Sequence, residues 1–219
     1  MELAIAEDPS VRAAASRSRM YQLIAAAFAF PDEEFFDALR RGMFARAVAD
    51  TADGLPYDAV DPSALCVGDD GTYTEFESEY IRLFDLGAAG PPCPLYGGLY
   101  GGDRMKVMED ATRFYNFFQL RLSSEMRELP DHITTQLEFL HYLTFREAEV
   151  CQHGGDTSSL LRAERDFLTR HPCKWVPKLQ ARLVKQNAEP FFSALVSFAA
   201  DFFERDRGYA AAAAGPDVD

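Results

Sequence analysis

Apolar side chains in this chain recur every three or four residues, segment after segment. Each run ends at a proline, a glycine or a side chain suited to capping. That spacing matches the turn of an α-helix rather than the two-residue repeat of a strand. Met20, Leu23, Ala27 and Phe30 keep helical step up to Pro31, with Ser10 after Pro9 as the expected cap. Asp32 is placed to cap a second helix carrying Phe36, Leu39, Met43 and Ala47. Thr72 opens a third, with Phe76, Tyr80 and Leu83, closed by Gly87. Asp103 heads a fourth, with Val107, Ala111, Phe114 and Phe118 on one face. A longer helix is expected from about Pro130 and Asp131 to Gly154. Two or three more fit between Asp156 and Arg207, punctuated by Pro172, Pro177 and Pro190. No alternating apolar–polar run is long enough for a strand, and no solenoid repeat recurs. The pattern predicts an all-α fold, a single-domain helical bundle of about eight to ten helices over residues 1–207, with 208–219 as a flexible C-terminal tail.

Composition narrows the function. Of 219 residues, 22 are basic and 35 acidic, a net charge of −13. Such a surface repels phosphate backbones and anionic lipid, so neither nucleic-acid binding nor membrane insertion is expected. A basic partner would be drawn towards it. The apolar stretch Leu23–Phe30 is too short to span a bilayer, and the acidic start MELAIAEDPSVR lacks the basic region of a secretory signal. Cys66, Cys93, Cys151 and Cys173 are scattered, with no C-x-x-C pair. Reduced thiols in the cytoplasm are the simplest reading.

Three groups of residues have chemical potential. Glu138 and His141 have the E-x-x-H spacing of di-iron bundles, which puts both on one helix face. No second such pair exists, so a metal-dependent enzyme is the weaker alternative and a local polar pair the plainer one. Gly97–Arg104, GGLYGGDR, brings backbone into reach of a phosphate but lacks the Gly-Lys-Ser/Thr ending of a P-loop. A tight turn that packs Tyr96 and Tyr100 against a helix competes with a nucleotide site there. Finally, Asp131 and His132 stand at a helix start. Asp131 is either a cap or the acceptor for an arginine from a guest peptide.

Taken in order, these segments resemble a family. Tyr80-x-x-Leu83-Phe84, Pro94-Leu95-Tyr96-x-x-x-Tyr100, Asp103-Arg104, Phe114-Tyr115 and Pro130-Asp131-His132 with Leu137-Glu138-Phe139 are similar to the TorD-type family of redox-enzyme maturation chaperones. So are Arg17, Tyr21 and Leu23 in the first helix, and His171–Phe192 with Trp175, Pro177 and Pro190. The likeness spans roughly residues 12 to 205. It implies a cytoplasmic chaperone rather than an enzyme, with no cofactor of its own, present as a monomer or a domain-swapped dimer. The implied partner is the N-terminal, twin-arginine-type segment of an apo-molybdoenzyme catalytic subunit, with the molybdenum cofactor delivery machinery alongside it. The chaperone would assist cofactor insertion before export or assembly. Carried over by position, Asp131 and His132 bind the peptide, with Tyr96, Tyr100, Asp103, Arg104, Tyr80 and Phe84 beside the same groove. Gly97-Gly98 departs from the family's Glu-Ser pair after Pro-Leu-Tyr. That predicts a more mobile loop or a different client.

Overall fold

The structure, a computed structural model, describes residues 8–58, 61–68, 71–88, 90–121 and 128–216. Among them are nine α-helices, one π-helical turn, one 3-10 turn and no extended strand. The first helix, α1 (Pro9–Phe28), is capped by Asp8 instead of Ser10; the Asp8 carboxylate accepts the Ser10 amide at 2.8 Å. Pro9 then sits at the first helical position, where a missing N–H costs nothing.

The expected second helix is two. Gly42 adopts φ +66°, a left-handed conformation that ends α2 (Glu33–Arg40) and starts α3 (Met43–Ala52). Phe36 and Leu39 are therefore buried on one helix and Val48 on the next, while Met43 is exposed. Thr72 forms a full capping box with Glu75 at the head of α4 (Tyr73–Tyr80), a motif that stabilises a helix start by about 1 kcal/mol. The chain then widens into a π-helical turn, Ile81–Asp85, with the Leu86 amide reaching back to the Ile81 carbonyl at 2.9 Å. Such turns insert one residue and re-aim the side chains after it, here Phe84 and Asp85.

Asp103 caps α5 (Arg104–Phe117) as expected. The long helix is α6 (Ile133–Gln152), capped by His132 and not by Asp131. Three helices complete the bundle: α7 (Ser158–Arg170), α8 (Pro172–Lys185) and α9 (Pro190–Ala213). The first lies along α6, and α9 packs on both α7 and α8.

Helix α9 buries Phe191, Phe192, Phe202 and Phe203 completely, each contributing about 1.5–3 kcal/mol of transfer free energy. Phe192 stacks on Phe76 at 4.8 Å and meets Phe84 at 5.4 Å, which fixes α4 and the π-turn on the core. The expected flexible tail from residue 208 is absent up to Ala213. Helix α9 continues because its alanines have the highest helix propensity and let it approach α7 closely; Ala210 and Ala214 are buried with Leu161. Residues 217–219 lie outside the described residues.

A charged knot ties four helices together. The Arg17 guanidinium is fully buried, bonding Glu147 at 2.6 Å, Asp206 at 2.5 Å and Glu164. Tyr21 and Tyr57 donate hydroxyl protons to the same Asp206. Three carboxylates surround one cation, and burial pushes the Glu164 carboxyl above the usual carboxylate range, with Arg17 pulling the other way.

Candidate functional site

One groove, with a volume of about 700 Å³, opens where α1, the π-turn, the Gly-rich segment and α6 converge. Each wall has a sequence cause. The end of α1 supplies Ala25, Ala29 and Phe30, small residues that leave room and a ring, 55% exposed, at the lip. Tyr80 donates its hydroxyl to the Phe28 carbonyl at 2.9 Å, locking the two walls together. Its ring meets Phe30 at 5.4 Å and Phe84 at 5.1 Å, forming an aromatic face.

Segment 91–100, too rich in Gly and Pro for regular structure, is held on both sides. In front, it pairs with the start of α6: Leu95 accepts the Ile133 amide and Gly97 donates to the Asp131 carbonyl, each at 2.9 Å. Behind, α8 grips it. Lys178 donates to the Tyr100 carbonyl at 2.9 Å and Arg182 to the Leu99 carbonyl at 3.2 Å. The Arg182 guanidinium lies 4.3 Å above the Tyr100 ring, whose other neighbour is Trp175, stacked at 5.2 Å. Gly97 and Gly98 permit this closeness. A Cβ at 97 would come within 2.9 Å of the Trp175 indole nitrogen, and one at 98 within 2.9 Å of the Asp131 carboxylate. The glycine pair therefore makes a clamped loop, which leaves a different client as the remaining expectation for this departure. It also weighs against the nucleotide reading, since Asp131 already occupies the amides of both glycines.

Five of the expected binding residues line the groove: Tyr80, Phe84, Tyr96, Arg104 and His132. Three do not. Asp131 has no exposed surface; one carboxylate oxygen accepts the Gly98 amide at 2.9 Å and the other has no partner. It holds the loop from beneath the groove. Tyr100 is buried behind the loop against Trp175, and Asp103 is exposed but spent on capping α5.

The sequence reading missed the acids that do face the groove: Asp85, Glu128 and, in this role, Glu138. Glu128 stands four residues before His132, a spacing that signals an acid–imidazole pair only on a helix, and here it precedes one. Its carboxylate accepts the Tyr96 hydroxyl at 2.7 Å and lies 3.7 Å from His132 Nε2. Burial, with that hydrogen bond, pushes the Tyr96 hydroxyl well above its ordinary range, so it stays a donor. His132 Nδ1 accepts from Thr134, at 2.6 Å from its hydroxyl and 3.4 Å from its amide. That leaves the ring proton on Nε2, facing Glu128. Burial lowers the His132 pKa, with Glu128 pulling the other way, so the ring is neutral at neutral pH. Burial raises the Glu138 carboxyl.

Glu138 and His141 do not act together. His141 turns to α1, with Ser18 at 2.7 Å on Nδ1 and Gln22 at 3.0 Å on Nε2, while Glu138 lines the groove. Both ring nitrogens are engaged, and no group of three His, Cys, Asp or Glu suited to a metal occurs among the described residues. Among the described residues the metal-enzyme alternative has no donor set. Among the same residues, no helix is long and apolar enough to cross a membrane.

Comparison with known proteins agrees with this architecture. Residues 58–181 match the family described as nitrate reductase delta subunit. The chain is 39% identical over 114 residues to the selenate reductase assembly chaperone protein of Thauera selenatis, covering 51% of this chain and 59% of that one. It is 35% identical over 165 residues to the chlorate reductase assembly chaperone protein of Ideonella dechloratans, covering 74% of each. A crystal structure of a redox enzyme maturation protein from Archaeoglobus fulgidus has the same fold, with a TM-score of 0.52 at 20% identity, over 86% of this chain and 93% of that one.

Proposed function

We propose, since the chain belongs to the nitrate reductase delta subunit family, which includes the TorD-type assembly chaperones, that it is the dedicated assembly chaperone of a molybdenum-dependent reductase. It holds the N-terminal segment of the catalytic subunit in the groove between α1, the π-turn and α6. Its client is the apo-subunit in the cytoplasm, kept from export or assembly until the delivery machinery has inserted the molybdenum cofactor. The named relatives are assembly chaperones of reductases.

One observation carries the reading. The groove has Tyr and Phe walls and three carboxylates, Asp85, Glu128 and Glu138, against one guanidinium, Arg104. A guest with adjacent arginines followed by apolar residues satisfies both features: the carboxylates take charge-assisted hydrogen bonds and the rings take the apolar part. The Tyr96 hydroxyl holds Glu128 in place before the guest arrives, which limits the ordering cost to the guest itself. The guest is unfolded when free, so affinity is on the order of micromolar, about −8 kcal/mol, and release remains feasible.

The test is calorimetry with a synthetic peptide of two adjacent arginines and an apolar run, against the same peptide with glutamines in place of the arginines. Tight binding of the first and at least tenfold weaker binding of the second is expected. Equal binding of the two refutes recognition by these acids.

A further inference from the structure

A second hollow, about 200 Å³, lies on the far side of Glu138. Leu120, Tyr115, Phe139 and Tyr142 wall it, and Glu138 is common to it and the groove. Helix geometry explains the sharing. Thr134 and Glu138 face the groove, while Thr135, Glu138 and Tyr142 face the hollow, so the two sites occupy adjacent stripes of α6. Phe118 meets Tyr142 at 6.2 Å and Phe139 at 5.7 Å, extending the apolar wall.

Two polar groups of the hollow have no partner among the described residues. Glu138 is exposed to solvent and makes no hydrogen bond or ion pair among the described residues. Thr135, 5% exposed, has a hydroxyl with no partner. Threonines 51, 112, 144 and 169 each bond the carbonyl four residues back. The corresponding carbonyl for Thr135 is that of Asp131, already taken by the Gly97 amide and the Gln136 side chain.

We infer that this hollow is the anchoring subsite for one large apolar side chain of the same guest, with the guest backbone crossing α6 over Glu138. The inference rests on the proposed peptide-binding role of the groove and adds where the apolar part goes and in which direction the guest lies. Arg121 borders the hollow and Glu128 the groove. A cation at one end and carboxylates at the other place the guest's arginines over Glu128 and its apolar anchor beside Tyr142. From Thr134 to Tyr142 the helix rises about 12 Å. An extended guest covers that in about four residues. The anchor therefore follows the arginines by about four positions.

The test uses peptides of two arginines followed by alanines, with a single leucine moved along the run, titrated into wild type and Tyr142→Ala. Leucine about four positions past the arginines should tighten binding to wild type about tenfold and to Tyr142→Ala less than twofold. Circular dichroism checks that the variant is folded. Independently of any variant, a diazirine analogue of that leucine should cross-link wild type within Leu120–Tyr142. An equal gain in both proteins, no gain at any position, or cross-links confined to Phe28–Phe30 overturns the subsite. A peptide that binds through its arginines but gains nothing from leucine removes the subsite alone. Failure of every arginine peptide to bind wild type removes the reading of the groove.

Discussion

Replacing Glu128 with glutamine keeps the shape of the groove and removes one charge. The carboxylate is about 39% exposed, accepts the Tyr96 hydroxyl and faces neutral His132. Glutamine can still accept from Tyr96 through its carbonyl oxygen, so the fold should lose less than about 0.5 kcal/mol. Binding is another matter. Two unit charges 4 Å apart near a protein surface attract by about 4 kcal/mol, and partial exposure with loss of hydration takes back most of it. A hydrogen bond to a charged group is worth about 1.5–3 kcal/mol net. Allowing for the share that Tyr96 already uses, Glu128→Gln should cost about 1–2 kcal/mol, a 5- to 30-fold weaker arginine peptide. Calorimetry at low salt reads the effect directly. At about 1 M salt, where the screening length is about 3 Å, the gap between wild type and variant should shrink several-fold. Equal affinities at low salt would refute a guanidinium at Glu128, and a gap that ignores salt would show that the loss was one of shape.

Other substitutions separate positioning from contact. Asp131→Ala strips the Gly98 amide of its acceptor and should cost about 1–3 kcal/mol of stability in urea denaturation, whereas Asp131→Asn, which retains an acceptor oxygen, should cost less than half as much. Lys178→Met releases the Tyr100 carbonyl and should speed hydrogen exchange across residues 95–101, with rescue by Lys178→Arg. In the buried knot, Arg17→Met should cost about 3–5 kcal/mol by stranding carboxylates, while Glu164→Gln, which removes one of three acids crowded around a single guanidinium, should cost much less. Burial lowers His171 to about 4 from 6.5, so the unfolded chain takes up a proton there before the folded one does. Stability from this residue is full above pH 6.5 and falls as pH drops towards 4, by up to about 3 kcal/mol. Denaturation at pH 7 and pH 5 should show the loss, and His171→Gln should flatten it.

What the sequence made legible was local. Asp32, Thr72 and Asp103 were recognisable as caps because the cap residue and the amides it satisfies lie within three positions. Gly42 was the local signal that escaped notice, and it split one apolar stripe between two helices. The tail was misjudged because a run of alanines has no apolar face until a neighbour, here Leu161, comes close enough to cover it. Long-range features were out of reach. Arg17 meets Glu147 and Asp206 across 130 and 189 positions, and nothing in the spacing announces it. The site divides in the same way. Tyr80, Phe84, Tyr96, Arg104 and His132 could be named in advance by resemblance, and they do line the groove. Asp131 is expected to bind the peptide, yet its carboxylate is fully buried, one oxygen held by the Gly98 amide and the other without a partner. The acids left facing outward are Asp85, Glu128 and Glu138, whose importance depends on having few cations near them, a property of the surface and not of any motif.

Amide hydrogen exchange on the full chain, with and without a saturating arginine-bearing peptide, would locate the guest. Slower exchange at Phe30, Tyr80–Leu86, Leu95–Leu99 and the first turns of α6, with α7 and the far end of α9 unchanged, is the expected result. Slowing confined to other faces, with these segments unaffected while the peptide is bound, would contradict a guest seated in this groove.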